Sequence, residues 1–177
     1  MKNPVSPSES EKKPAREQPI HPGTTIGHAH LKVSDIDRSV KFYTEVLGFE
    51  ITTWYGRSAV FLSAGGYHHH IALNTWESAG GAPPPAGTTG LYHFAILVPN
   101  RKELARALKR LTDHGWPLDG ASDHGVSQSL YLRDPDGNGI EIYADRPRDQ
   151  WPHDPDGHLT MYTHRLDLHA LMAELGG

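Results

Sequence analysis

The sequence predicts an α+β fold in which two βαβββ modules stand in tandem and form a cupped mixed sheet around a metal site. Three observations predict it. A strand-then-helix pattern occurs twice, near 25–47 and 91–114. Histidines fall at matching points of the two copies, His28 and His93, each seven residues before a helix-capping Asp35 or Asn100. Finally, Glu141 interrupts the apolar strand Gly139-Ile-Glu-Ile-Tyr143, where a carboxylate is costly to bury without a partner.

Taken in order, residues 1–22 are rich in Pro, Ser, Glu and Lys and bury too little surface to offset ordering entropy, so they predict a disordered tail. Residues 23–177 follow as one domain. In module one (23–77), Thr25–Val33 alternates like a strand, and Ile36, Val40, Tyr43, Val46 and Leu47 keep helical spacing. Ser34 or Asp35 caps that helix and Gly48 ends it. Strands follow near 49–55, 58–63 and 68–75. The linker 78–89, with Gly80-Gly81 and Pro83-Pro84-Pro85, suits an extended spacer. Module two (90–145) opens with the strand Leu91–Val98. Its helix, near 101–114, has Asn100 as cap and Leu104, Leu108 and Leu111 as apolar stripe, and strands near 126–133 and 138–144 complete it. The extension 146–177 is polar and Pro-rich until Leu166–Leu175, which predicts a short helix bracing the body; Trp151 and Met161 are expected to help close the pocket.

Composition narrows the chemistry. A formal charge of −4 gives no electrostatic reason for nucleic acid or an anionic membrane as partner. No apolar run approaches the roughly 18 residues of a membrane span, and no secretion-signal core opens the chain. By default, the expected location is the cytoplasm. Zero cysteines exclude disulfides, thiolate zinc sites and a cysteine nucleophile, so any metal must take N and O ligands.

The thirteen histidines make that metal plausible. Strand alternation puts His28, His30 and Lys32 on one face and Ala29, Leu31 and Val33 on the other. Glu141 alternates with Ile140 and Ile142, which places it on the corresponding face of the last strand. A pseudo-twofold between the copies would then bring His28, His93 and Glu141 towards one point, the simplest two-imidazole, one-carboxylate metal site. The runs Asp134-Pro-Asp-Gly137 and Asp154-Pro-Asp-Gly157 predict plain turns, since Glu141 comes too early for a calcium loop. His21, His114, His153, His158, His164 and His169 lack motif context and are expected at the surface.

At these residues, over roughly 25–145, the chain resembles the vicinal oxygen chelate superfamily and, within it, the extradiol ring-cleaving dioxygenases, closest to small catechol-2,3-dioxygenase-like members. The resemblance rests on His124-x5-Leu130-Tyr131-x2-Asp134-Pro135-x-Gly137-x3-Glu141, with Ser122 as one departure from the signature, and on Gly65-Gly-Tyr-His-His-His70 and Gly90-Leu-Tyr-His-Phe94. It implies Fe(II), with Mn(II) as the alternative, held by His28, His93 and Glu141. It implies His69 as acid–base residue, His124 and Tyr131 as contacts to substrate hydroxyl oxygens, and a small aromatic diol and dioxygen as substrates. Strand parity favours His70 over His69 on the face of Ala72, and that choice stays open here. A homo-oligomer is also expected.

The rival functions are a glyoxalase-like isomerase, a thiol transferase and a metal-free resistance protein that sequesters a small molecule. Isomerases of this kind place a carboxylate in each copy. The residue matching Glu141 in module one is Ala72, which favours an open triad.

Overall fold

The computed structural model describes residues 18–176, so the expected disordered tail lies largely outside the described residues. Module one is β1 (Ala29–Lys32), α1 (Ile36–Lys41), β2 (Glu50–Tyr55), β3 (Ala59–Ser63) and β4 (Ile71–Asn74). Module two is β5 (Phe94–Leu97), α2 (Arg101–Asp113), β6 (Gly120–Asp123), β7 (Ser127–Arg133) and β8 (Gly139–Asp145). The strands form two mixed sheets, ordered β1-β4-β3-β2 and β5-β8-β7-β6-β9, where β9 (His164–Arg165) comes from the C-terminal extension. In each module the first strand runs parallel to the last, and the remaining neighbours are antiparallel.

The repeat is visible in the register. Ala29 pairs with Ile71 and His30 with Ala72, while Phe94 pairs with Ile140 and Ala95 with Glu141. The next strand pairs Phe61 with Ala72 in one module and Tyr131 with Glu141 in the other. Ala72 is therefore the positional counterpart of Glu141, as the sequence alignment of the copies expects, and Phe61 is the counterpart of Tyr131.

Asp35, rather than Ser34, caps α1, accepting from the Arg38 amide at 3.0 Å. The helix runs on through a wider π turn, Phe42–Val46, in which the Leu47 amide reaches back to the Phe42 carbonyl. Arg110 of α2 donates to the Val46 and Glu45 carbonyls at 3.3 and 2.7 Å, placing a cation where that helix leaves its carbonyls unpaired. Helix α2 is capped by Asn100 and buries Leu104, Ala105, Leu108 and Leu111 against its sheet. At about 1.5–3 kcal/mol per large side chain, this stripe is a main anchor of module two. Helix α3 (Leu168–Met172), capped by Asp167, buries Leu171 and packs on α2, which is the expected brace.

One hydrophobic cluster spans both modules, joining Leu31, Phe42, Val60 and Leu73 to Leu104, Leu130, Ile140 and Leu171. A polar clamp reinforces it. The turn at Asp134–Gly137, expected to be plain, ties the modules together. Buried Asp134 accepts from the Asp136 and Asn138 amides, from the Asn138 side chain and, across the modules, from the Tyr43 hydroxyl at 3.0 Å. Asp136 accepts from Ser34 Oγ at 2.5 Å and from the Arg38 guanidinium at 2.5 Å. Burial and the Asp134 carboxylate push the Tyr43 hydroxyl well above the usual tyrosine range, so it stays a donor.

Four elements differ from the sequence-based expectation; one is β5, which spans only Phe94–Leu97 of the expected Leu91–Val98. The first strand is confined to Ala29–Lys32, because Thr25–His28 pair with no strand. Strands β6 and β9 were not expected. The run Gly120-Ala-Ser-Asp123 carries almost no apolar signal, and two residues of β9 carry none.

Candidate metal and substrate site

Glycine fixes the approach of β5 to β8. A Cβ on Gly139 would lie 2.1 Å from the Tyr92 carbonyl oxygen, so only glycine lets the residue before His93 come this close. That approach sets His93 beside Glu141, with Nε2 and Oε2 3.0 Å apart. Glu141 stands between buried Ile140 and Ile142 on β8, its side chain only 14% exposed, and so presents its carboxylate on the face opposite the core.

From that carboxylate a line of polar contacts crosses the sheet. Tyr131, paired with Glu141 across β7 and β8, donates to Glu141 Oε1 at 3.1 Å. The Tyr131 hydroxyl also lies 2.7 Å from His124 Nε2, while His124 Nδ1 lies 2.9 Å from the Tyr162 carbonyl. Burial, together with the Glu141 charge and hydrogen bond, holds the Tyr131 hydroxyl above the ordinary tyrosine range and outweighs an opposing contact from Ser129. Tyr131 is thus a neutral O–H donor at physiological pH. His93, His124 and Tyr131 line a cleft of about 460 Å³ whose walls also include Tyr92, Ser122 and Thr163. At its rim Arg133 and Asp119 form an ion pair at 2.9 Å.

Module one carries the other predicted residues. The His28 ring lies 4.4 Å from that of His69, and His69 packs edge-on to Phe61 at 5.0 Å. His68 Nδ1 is 2.8 Å from His69 Nδ1. Burial and the neighbouring His28, His68, His30 and His70 keep His69 below the ordinary histidine range. His70 turns away, with Nδ1 on Ser63 Oγ and the Ala64 amide. Strand parity does not govern this trio because β4 begins only at Ile71. His69 is accordingly the residue beside His28. His30 meets Asn74 Nδ2 at 2.9 Å and the edge of Trp76.

The structure therefore brings together His93, Glu141, Tyr131 and His124, and separately His28 and His69. Among the described residues, His28, His93 and Glu141 do not have ligand atoms all within 4.8 Å of one another; the set that meets that spacing is Asp154, Asp156 and His158. Those three lie on the turn of the extension, where Asp154 already accepts from the Asp156 and His158 amides. As a donor set, His93 and Glu141 suit a divalent metal: one imidazole nitrogen and one carboxylate oxygen meet beside an apolar-backed strand pair, and a second imidazole, His28, immediately precedes the matching strand of the other module.

Sequence reasoning missed Tyr162 and Thr163, which reach His124 from 38 and 39 residues away and have no local signature. It also missed Asp123, joined to Arg146 by an ion pair at the base of the His124 loop. Trp151 and Met161, expected near the pocket, do otherwise: Trp151 donates to the Arg146 carbonyl and Met161 is largely exposed, so Thr163 is what the extension supplies to the cleft wall. His21, His114, His153, His158, His164 and His169 are exposed, as expected. No described helix is long and apolar enough to cross a membrane.

Comparison with known proteins agrees with the fold. Residues 25–142 match the family model described as the Glyoxalase/Bleomycin resistance protein/Dioxygenase superfamily. The chain is 47% identical over 157 residues to a catechol-2,3-dioxygenase of Bacillus subtilis, covering 89% of this chain and 54% of that protein. It is 27% identical over 128 residues to a lactoylglutathione lyase of Escherichia coli O157:H7, covering 67% of this chain and 91% of the lyase. The crystal structure of a glyoxalase/dioxygenase from Nostoc punctiforme superposes with a TM-score of 0.59 at 20% identity, over 75% of this chain and all of that one, which supports the fold alone. The chain spans about half the length of the Bacillus protein.

Proposed function

This chain belongs to the glyoxalase/bleomycin resistance/dioxygenase superfamily, and from that premise we propose that it is a non-haem Fe(II)-dependent extradiol dioxygenase that opens the ring of a catechol-type aromatic with dioxygen. The observation that carries the proposal is the unbroken line of contacts His93–Glu141–Tyr131–His124, three of whose members, His93, Tyr131 and His124, line one cleft. Ala72, fully buried where a second carboxylate would stand, supports ring cleavage over isomerisation by a four-ligand site.

In this proposal His28, His93 and Glu141 hold the metal, Fe(II) or alternatively Mn(II), which when bound supplies a Lewis-acidic, redox-active centre for the diol and dioxygen. The chain's own residues do the rest. Tyr131 offers its hydroxyl proton to a substrate oxygen as negative charge builds there. His124 contacts the other substrate hydroxyl, and His69, kept neutral among imidazoles, moves a proton on the module-one side. The apolar backing of β7 and β8 limits water behind the carboxylate. Both oxygen atoms of dioxygen enter the product, a ring-opened semialdehyde. We also propose a homo-oligomer, in keeping with the exposed edge strand β2, which carries Ile51, Trp54 and Tyr55.

The test is anaerobic loading with Fe(II), followed by catechol and dioxygen. A yellow semialdehyde with one dioxygen consumed per catechol is the expected result. Tight metal binding with no oxygen uptake on any catechol sinks the proposal; turnover of a glutathione hemithioacetal instead would identify an isomerase.

A further inference from the structure

We infer that Tyr162–His164 is a positioning strap that locks His124 in its Nδ1–H tautomer, so that Nε2 meets the substrate as a proton acceptor. The inference rests on the dioxygenase proposal for the substrate, but not for the tautomer. A carbonyl oxygen only accepts, so the 2.9 Å contact from His124 Nδ1 to the Tyr162 carbonyl requires the proton on Nδ1. In the neutral ring, Nε2 then holds a lone pair, aimed at the Tyr131 hydroxyl 2.7 Å away. That hydroxyl has one proton and two acceptors, His124 Nε2 and Glu141 Oε1. A substrate hydroxyl that replaces Tyr131 at Nε2 removes that competing acceptor, leaving the tyrosine proton on Glu141 Oε1 or available to a substrate oxygen.

The strap is built to hold this geometry. The Tyr162 amide donates back to the His124 carbonyl at 3.3 Å, so residues 124 and 162 are joined at two points. Thr163 Oγ1 stands 3.4 Å from Nδ1. The Tyr162 ring stacks on His164 at 4.3 Å and presses on Gly125, where a Cβ would lie 2.6 Å from the ring and where φ is +79°. Strand β9 fastens the strap to β6 through Asp123–His164 and Ser122–Arg165 pairing. In the proton transfer, the substrate O–H bond breaks, its electron pair stays on oxygen, and a bond forms to Nε2. The resulting imidazolium keeps Nδ1–H on the Tyr162 carbonyl, whose oxygen faces the new charge.

The experiment is a long-range ¹H–¹⁵N correlation spectrum of the full-length chain labelled in histidine and loaded with diamagnetic Zn(II), with His124 assigned by His124→Gln. The expected pattern at neutral pH is a protonated Nδ1 and a lone-pair Nε2. In Tyr162→Pro, which removes the amide donated to His124, the two tautomers should average. With Fe(II), its kcat on catechol should fall about tenfold while KM stays within about twofold. An Nε2–H or averaged pattern in the unaltered chain overturns the strap, as does Tyr162→Pro with both tautomer and kcat unchanged. If Tyr162→Pro does not fold, the unaltered chain's spectrum decides alone. A locked Nδ1–H tautomer without ring cleavage defeats the dioxygenase proposal and leaves the strap standing; ring cleavage with Nε2–H does the reverse.

Discussion

Modules one and two share their strand order and register, yet the pair of side chains facing each other at the centre of each sheet is chemically opposite. Phe61 stands across from Ala72 in module one, and Tyr131 across from Glu141 in module two. Around the first pair gather imidazoles, His28, His30 and His69, with no carboxylate among them. Around the second, His93, Glu141, Tyr131 and His124 form one line of contacts. The backbone of the repeat builds two similar surfaces, and two substitutions decide which of them pairs a carboxylate with a proton donor. The edges differ as well: β6 is covered by β9, while β2 is exposed along its whole length.

The most severe way to erase this difference is Glu141→Ala, which gives module two the residue of module one. It should abolish metal retention and lower ring cleavage roughly a thousandfold or more, read by metal analysis after gel filtration and by oxygen uptake. Retained metal at full stoichiometry would remove Glu141 from the ligand set. Tyr131→Phe copies the other half of the pair. Metal content should be unchanged while kcat falls about a hundredfold, since the donor to developing charge is lost. An unchanged kcat would assign Tyr131 to structure alone.

A third difference lies in the hairpin turns. Module one joins β3 to β4 through Gly65 and Gly66, whereas module two uses Asp134, whose carboxylate serves four donors including Tyr43 of the other module. Asp134→Ala strands those buried donors and should cost about 3 kcal/mol, or roughly 10 °C in Tm. The look-alike Asp154→Ala, whose turn is exposed and reaches no other module, should stay within about 0.5 kcal/mol. Equal effects from the two would show that the inter-module contact contributes nothing.

The smallest expected effect concerns acid. Burial pushes the Asp123 carboxyl up, but hydrogen bonds from Gln128, the Gly125 amide and Arg146, with the Arg146 charge, outweigh it and hold the group below the usual aspartate range. The folded chain thus binds that proton less readily than the unfolded one. Its stabilising contribution is complete above an ordinary aspartate pKa of about 3.9 and is lost as pH falls from there through the depressed folded value. Urea midpoints of Asp123→Asn should therefore change less than those of the unaltered chain as pH drops below about 4. Parallel pH profiles would exclude this carboxyl.

Most of the fold was legible because its signals are local. The apolar alternation of Ile140–Ile142, the Leu104–Leu108–Leu111 stripe and the Asn100 cap each declare an element from a few neighbouring residues. Strand β6, made of Gly, Ala, Ser and Asp, offers no such alternation and is held by pairing with β7 and β9. Within the site, His93 and Glu141 were legible from the repeat. That His69 rather than His70 lies beside His28 was not, because the trio precedes the strand and its direction is set by turn geometry. Tyr162 and Thr163 were out of reach for a different cause: their role depends on a backbone carbonyl, which every residue possesses and no sequence distinguishes.

The clamp at Asp134 and Asp136 also bears on what happens when the chain is cut. The connection through residues 79–90 is exposed throughout, the kind of segment that proteases nick first. Because the modules share one hydrophobic cluster and the Tyr43, Ser34 and Arg38 contacts, scission there would leave two fragments docked as a noncovalent pair. The two halves could then be made separately and mixed, with function returning only in proportion to how tightly one turn grips the opposite helix.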